Sequence, residues 1–323
     1  MKYAKLGNTE VEVSRLCVGC MSFGEHFEGG HQWTLDQDAT QEMVKHALEV
    51  GINFFDTANT YARGTSEEFL GRALKNVARR EDVRIATKVF FNLTTPEHLT
   101  KRAIEAEIDG SLKRLGTDYV DLYQIHRFDK DTPIEETMEA LHGLVKAGKV
   151  RAIGASAMYG YQFHNMQIAA EKNGWTPFST MQNHYNLLDR EDERELIPIC
   201  RQMNVSLIPY SPLAAGRLSR LEWTTDTARS QTDKVAIGKY DSTQEQDYAI
   251  VKRVHEVAEK HNATMSQIAI AWHFAKGVTA PIIGATKPKY FDDAVAALDI
   301  DLSPEDVAAL EEFYVPHKIV GAL

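Results

Sequence analysis

One unit repeats along the chain: an amphipathic stretch that ends in glycine, a short β-rich run, then a polar loop. Between positions 38 and 50, Met43, Val44, Ala47 and Leu48 fall on one helical face. Gly51 follows, where a helix end favours a left-handed residue. Ile52 to Asp56 then reads as a strand. Pro96 opens the next helix at its first turn. Leu99, Ala103, Ile104, Ile108, Leu112 and Leu115 carry its stripe, Gly116 ends it, and Tyr119 to Ile125 is the following strand. A third copy starts at Pro133. It places Ile134, Met138, Leu141 and Val145 on the buried face, stops at Gly148, and continues into Val150 to Gly154.

Eight such strands are predicted, near 15–19, 52–56, 83–88, 119–125, 150–155, 179–182, 205–209 and 279–283. Strands that alternate with helices pair in parallel through right-handed crossovers. Eight units in a chain of this length point to a closed (β/α)8 barrel of the TIM type, in the α/β class. The rival is an open doubly wound sheet. It would carry a Gly-rich turn after its first strand, and no G-x-G-x-x-G occurs. Tyr3 to Leu6 and Val11 to Val13 flank the turn Gly7-Asn8-Thr9-Glu10, a β-hairpin expected to cap the bottom of the barrel. A polar stretch from Thr224 to Gln246 reads as an inserted loop, with a helix pattern after it at 246–261. No linker or low-complexity tract interrupts residues 1–323, so a single domain is expected.

Composition narrows the function class. The 323 residues are 43% hydrophobic and 25% charged, ordinary for a soluble globular protein. A net charge of −10 argues against nucleic acid and anionic membrane surfaces as partners. The N-terminus lacks an apolar signal core, and no apolar run is long enough to span a bilayer, so the cytoplasm is the expected compartment. Cys17, Cys20 and Cys200 are too few for a disulfide framework. Cys17 and Cys20 form a C-x-x-C, but no second pair or His ligands accompany it. Buried thiols and no metal are the expectation.

Barrel enzymes carry their chemistry at the carboxyl ends of the strands. Reactive residues fall there: Asp56 with Tyr61 just beyond it, Lys88, His126, Ser156, Gln182, Tyr210, and the run Gly284 to Lys287. A free tyrosine titrates near 10, and a nearby ammonium favours its phenolate. Asp56 can fix Lys88, Lys88 can tune Tyr61, and His126 can hold a carbonyl oxygen. Together they form a proton donor aimed at a carbonyl. An electron source is missing, so a hydride carrier is implied.

Gly51-Ile52-Asn53-Phe54-Phe55-Asp56-Thr57-Ala58-Asn59-Thr60-Tyr61, Ala86-Thr87-Lys88 and Tyr123-Gln124-Ile125-His126 resemble the signatures of the aldo-keto reductase family. The likeness is nearest to bacterial members beside the potassium-channel β-subunit branch, and it runs the length of the chain. The resemblance implies a (β/α)8 barrel that takes a nicotinamide cofactor without a Rossmann fold. It implies Tyr61 as general acid, tuned by Lys88 and Asp56, with His126 orienting the carbonyl. Ser156 and Gln182, joined by Asn183, would meet the nicotinamide carboxamide, and Tyr210 would stack on its ring. Ser211, Leu213, Gly216 and Arg217 would wrap the pyrophosphate. Gly284, Thr286 and Lys287 would meet a 2′-phosphate, and Asp293 the adenine. Tyr290 and Ala294 depart from residues common in the family, so NADP(H) over NAD(H) rests mainly on Lys287.

Phe23, His26, Trp33, Phe90, Phe91, Met158 and Tyr159 lie in loops after strands and would line an aromatic mouth for a small carbonyl substrate. The segment from Tyr314 to Lys318 is expected to fold over that mouth. Singly, the residues have plainer readings: Asp56 as a helix cap, Lys88 as a solvated lysine, His126 as a loop histidine. Two other functions compete with carbonyl reduction: an NADP(H)-binding redox-sensing regulatory subunit with little turnover, and an aldolase or isomerase using Lys88 as an amine.

Overall fold

The computed structural model describes residues 1–223 and 228–316. Two short strands open the chain, β1 (Tyr3–Lys5) and β2 (Glu12–Ser14), antiparallel with Tyr3 opposite Ser14. Eight parallel strands follow: β3 (Cys17–Gly19), β4 (Phe54–Asp56), β5 (Arg84–Val89), β6 (Val120–Ile125), β7 (Val150–Ser156), β8 (Thr180–Gln182), β9 (Ser206–Leu207) and β10 (Ile282–Gly284). Their order is β10-β3-β4-β5-β6-β7-β8-β9. Backbone hydrogen bonds from Thr279 N to Leu207 O and from Ile282 N to Pro209 O, each 2.9 Å, join the segments around β9 and β10. The architecture is the expected (β/α)8 barrel.

Helices α1 (Gln37–Glu49), α2 (Thr65–Val77), α3 (Lys101–Leu115), α4 (Ile134–Lys146), α5 (Gly160–Asn173) and α6 (Leu196–Gln202) succeed strands β3 to β8. Local chemistry sets their ends. The Asp36 carboxylate accepts from Ala39 N and the Thr100 hydroxyl from Ala103 N, so two helix starts have a side-chain partner. Gly116 ends α3 at a φ of 66°, a conformation that penalises any Cβ.

The polar stretch expected to be a loop is corrected where it is described. It holds α7 (Ala228–Thr232) and α8 (Lys234–Tyr240), ahead of α9 (Gln244–Lys260). Asp233 caps α8 by accepting from Ala236 N, while Ala236 and Tyr240 are buried beneath it. Two buried residues in so polar a run give too little periodicity to be seen in the sequence. Helices α10 (Met265–Ala275), α11 (Lys289–Ala296) and α12 (Pro304–Glu311) complete the described chain. Tyr314 packs on the loop after β8, donating to Glu191 and accepting from Arg190 N. His317 and Lys318, expected at the mouth, lie outside the described residues. Among those residues no helix is long and apolar enough to cross a membrane.

Strand alternation divides the core in two. Outward residues such as Phe55, Ile85, Tyr123 and Ile153 pack against the helices in the larger cluster. Inward residues Cys17, Phe54, Ala86, Leu122, Ala152 and Ile208 fill the barrel, joined from below by Leu6, Val11 and Val13 of the N-terminal hairpin. The hairpin is thus the expected cap, and its apolar side chains seal the lower end.

Helix α2 packs directly on the Leu115 backbone of α3 at Gly71. A Cβ there would lie 2.7 Å from the Leu115 carbonyl carbon and closer still to its oxygen. Gly71→Ala should therefore lower stability by about 1–3 kcal/mol, although alanine is the better helix former. Urea unfolding of the two proteins checks this, and a more stable alanine variant would contradict the packing described.

Candidate active site

The period-2 alternation that puts Phe54, Ala86 and Leu122 inside the barrel puts Asp56, Lys88 and Gln124 inside it one step higher. A polar layer therefore sits on the apolar plug. Lys88 is fully buried and Asp56 nearly so. Their ion pair is 2.6 Å long. The Lys88 ammonium also donates to the Thr57 carbonyl at 2.8 Å and to the Tyr61 hydroxyl oxygen at 3.1 Å. All three ammonium protons have an acceptor.

The other Asp56 oxygen is held by two amides. Gln124 Nε2 donates to Oδ1 at 3.0 Å and Gln182 Nε2 at 2.8 Å. Gln182 further donates to Gln124 Oε1 at 3.3 Å. Gln182 was expected at the cofactor, yet its amide nitrogen points into the barrel. Gln124 had no role in the sequence reading beyond its place in a motif. Its inward register under Asp56 was the signal that could have revealed it.

Tyr61 opens a short 3-10 turn, Tyr61–Gly64. Ala62 and Arg63 in that turn have φ of 46° and 55°. Such residues cost about 1–3 kcal/mol each and persist where surrounding structure imposes them. The same conformation occurs at Ala157, Ser211, Ala214 and Ala215, all in loops that leave strand tops. His126 follows β6, its N–H donating to Val89 O at 2.8 Å. The His126 ring meets Tyr61 edge to face, with centroids 5.8 Å apart.

Burial sets the electrostatics. It pushes the Tyr61 phenol above its ordinary value, and the Lys88 cation opposes this without reversing it. The expected lowering of Tyr61 is thus corrected: desolvation of the phenolate outweighs the neighbouring charge. Burial alone would lower Lys88, but Asp56 and Tyr61 hold its ammonium above the usual lysine range. Burial, then the Lys88 and Arg127 cations, hold His126 well below the ordinary histidine value, so its ring is neutral. His126 Nδ1 is buried without a hydrogen-bond partner.

The structure brings Asp56, Lys88, Tyr61, His126 and Gln182 together. The Ser156 hydroxyl donates to the Gln182 carbonyl at 2.8 Å. Asn183 Nδ2 donates to Asp192 at 3.0 Å, and its Oδ1 is buried and unpartnered. Tyr210 stacks on His184 at 5.2 Å between centroids, and Lys239 Nζ lies 4.8 Å from its ring. Ser211, Leu213, Gly216 and Arg217 follow β9, with Arg217 donating to Asp241 at 3.0 Å. Gly284 ends β10 and Thr286 and Lys287 follow it, all three exposed. Asp293 in α11 is half-buried and accepts from Gln267 at 3.4 Å.

The mouth residues divide. Phe90 stacks on His98 at 4.2 Å, and exposed Phe91 lies edge-on to His126 at 5.3 Å. Trp33 packs on His31 at 4.2 Å, and His26 is exposed, bonded to Thr34. Phe23 and Met158 are corrected. Both pack in the larger core cluster with at most 4% exposure, so they support the mouth from beneath rather than offer it a face. The three cysteines are buried and free.

Comparison with known proteins agrees with this geometry. The model of the aldo/keto reductase family matches residues 15–315. A versiconal hemiacetal acetate reductase from Aspergillus parasiticus is 41% identical, over 99% of this chain and 98% of its own. An aldo-keto reductase from Alternaria alternata is 39% identical, over 97% and 91%. The crystal structure of a thermostable aldo-keto reductase with the inhibitor epalrestat superposes with a TM-score of 0.78 at 31% identity, over 97% of this chain and 100% of that one. Barrel, motif-bearing residues and relatives agree across nearly the whole chain, which is that of an oxidoreductase belonging to the aldo/keto reductase family.

Proposed function

We propose that the protein reduces aldehydes or ketones to alcohols with NADP(H), and that Tyr61 gives the proton. When bound, the nicotinamide supplies the hydride. The observation that carries this reading is the Lys88 ammonium, 3.1 Å from the Tyr61 hydroxyl oxygen and 2.6 Å from Asp56. A phenol held above its ordinary value keeps its proton at neutral pH. Once the proton has left, the tyrosinate faces a fixed cation, which stabilises the charge that develops. Asp56, clamped by Gln124 and Gln182, holds that cation in place. Neutral His126 steers the carbonyl oxygen toward Tyr61 without competing as an acid.

The residues fit the cofactor. The unpartnered Asn183 Oδ1 supplies an acceptor for the carboxamide amine beside Ser156 and Gln182. Tyr210 gives a ring face for the nicotinamide. Left-handed residues at Ser211, Ala214 and Ala215, with Gly216, bend the loop so that its amides can meet the pyrophosphate. Exposed Thr286 and Lys287, after Gly284, would take the 2′-phosphate, with Asp293 near the adenine. Lys88 held protonated weighs against imine chemistry, which needs the free amine. Cytoplasmic residence belongs to the same reading and draws support from three buried, unbridged cysteines.

Tyr61→Phe should lower kcat/KM for carbonyl reduction by about 10² to 10⁴ while NADPH binding is retained. NADPH absorbance with an aldehyde panel and a fluorescence titration test the two halves. If neither protein turns over any carbonyl, the reading fails.

The pH profile follows from the shifts. The Tyr61 value is raised, so its donor form is lost only as pH climbs past the ordinary tyrosine range. The His126 value is lowered, so its ring gains a proton only well below the ordinary histidine value. Reductive kcat/KM should be level from about pH 6.5 to about 10 and decline only above that. An inflection near 7 that Tyr61→Phe abolishes would contradict the assignment.

Lys287→Met should weaken NADPH binding by about tenfold and leave NADH binding unchanged, since one charge-assisted contact to the 2′-phosphate is removed. Equal losses for both cofactors would move the phosphate contact elsewhere.

A further inference from the structure

Arg127 directly follows His126 at the mouth, and beyond helping to keep that ring neutral it has no role so far. It is half-buried. One guanidinium nitrogen donates to the His126 carbonyl at 2.8 Å, and the group lies 5.9 Å from the Phe91 ring. Its charge bears on Tyr61, His126, Tyr210 and Lys239 alike, so it sits centrally among the mouth residues. Arg80, Arg114 and Arg190, also partly buried, have carboxylates: Arg80 meets Asp121 at 2.7 Å, Arg114 meets Glu67 at 2.6 Å, and Arg190 meets Glu311 at 2.6 Å. Arg15 and Arg84 instead spend their donors on two or three backbone carbonyls each, whereas Arg127 meets one. Among the described residues no carboxylate pairs with Arg127.

A half-buried guanidinium without a counter-ion has a planar fork of donors left for a ligand. Carboxylate and phosphate oxygens match that fork with two parallel hydrogen bonds. After the paired Lys88 and Asp56, Arg127 is the next charged group whose field bears on Tyr61. In a chain with a net charge of −10, this local positive field is the reverse of the global one.

We propose that Arg127 is the specificity-determining residue of this site and selects carbonyl substrates that carry a carboxylate or phosphate. The inference rests on the carbonyl reductase reading. The anionic group would lie on the Phe91 side of His126, while the carbonyl oxygen reaches Tyr61.

The test compares matched pairs: formyl carboxylates of increasing length against their methyl esters, and glyceraldehyde 3-phosphate against glyceraldehyde. The anionic member should have the higher kcat/KM by about tenfold to a hundredfold in wild type. A carboxylate-only or a phosphate-only preference identifies which oxyanion is taken. In Arg127→Met the ratio within the preferred pair should fall toward one. Arg127→Lys, which keeps charge and loses the fork, should fall between. A ratio cancels any general effect of the substitution on folding or on His126, so a merely structural role would leave it unmoved. A second arm needs no turnover: benzoate against benzamide, titrated by fluorescence into protein saturated with NADP+. Preference for benzoate that Arg127→Met abolishes supports the oxyanion site even if no carbonyl is reduced, a result that would sink the reductase reading alone. Turnover of neutral and anionic members at equal efficiency, or a ratio that survives Arg127→Met, overturns the proposal. So does a variant that loses NADPH affinity while keeping the ratio.

Discussion

A lysine ammonium with no exposed surface must be neutralised where it stands, and the upper barrel is organised around that requirement. An unpaired ion at that depth would cost several kcal/mol, and removing one partner of such a pair commonly costs about 3–5 kcal/mol. Asp56 answers the charge of Lys88, two glutamine amides answer the second oxygen of Asp56, and Thr57 and Tyr61 take the remaining ammonium protons. Each group in the network is immobilised by the next. Tyr61 is therefore a terminus of a buried electrostatic chain rather than a solvated phenol, and its hydroxyl is fixed because the charge beneath it cannot be left unsatisfied.

The same strands that carry this network carry the apolar plug below it. Phe54 lies under Asp56, Ala86 under Lys88 and Leu122 under Gln124, so one alternation supplies both stability and chemistry. The hairpin contributes Leu6, Val11 and Val13 to the plug. These buried apolar side chains close the barrel beneath the polar layer.

Much of this could be read before any coordinates. The helix–loop–strand rhythm, punctuated by Gly51, Gly116 and Gly148, located the barrel strands, because amphipathic stripes and C-terminal glycines are local signals. Asp56, Lys88 and His126 stood out because each lies at or just beyond the end of a predicted strand. What escaped depends on depth and partners. Gln124 is an interior residue whose role comes from facing Asp56 across the barrel. Arg127 becomes notable only because no carboxylate meets it. Phe23 and Met158 looked like rim residues by chain position, yet they pack into the core. The direction of the Tyr61 shift needed the balance of burial against charge, and a sequence offers only the charge. Helices α7 and α8 hide in a polar run because two buried side chains suffice to hold α8 down.

The strands are unequal in length, and this grades the stiffness of the ring. β5, β6 and β7 have six or seven residues and long runs of paired backbone, whereas β8, β9 and β10 have two or three. Lys88 and His126 stand at the tops of the long strands. The loops assigned to the dinucleotide, Ser211 to Arg217 and Gly284 to Lys287, rise from the short ones. Lys88 thus rests on the well-braced arc, while its partners Asp56 and Tyr61 come from three-residue β4 and the turn after it, and are held through the Lys88 ammonium. The loops proposed to hold the cofactor rise from short strands with few paired backbone groups, the kind of segment that opens at lower free energy than long paired strands.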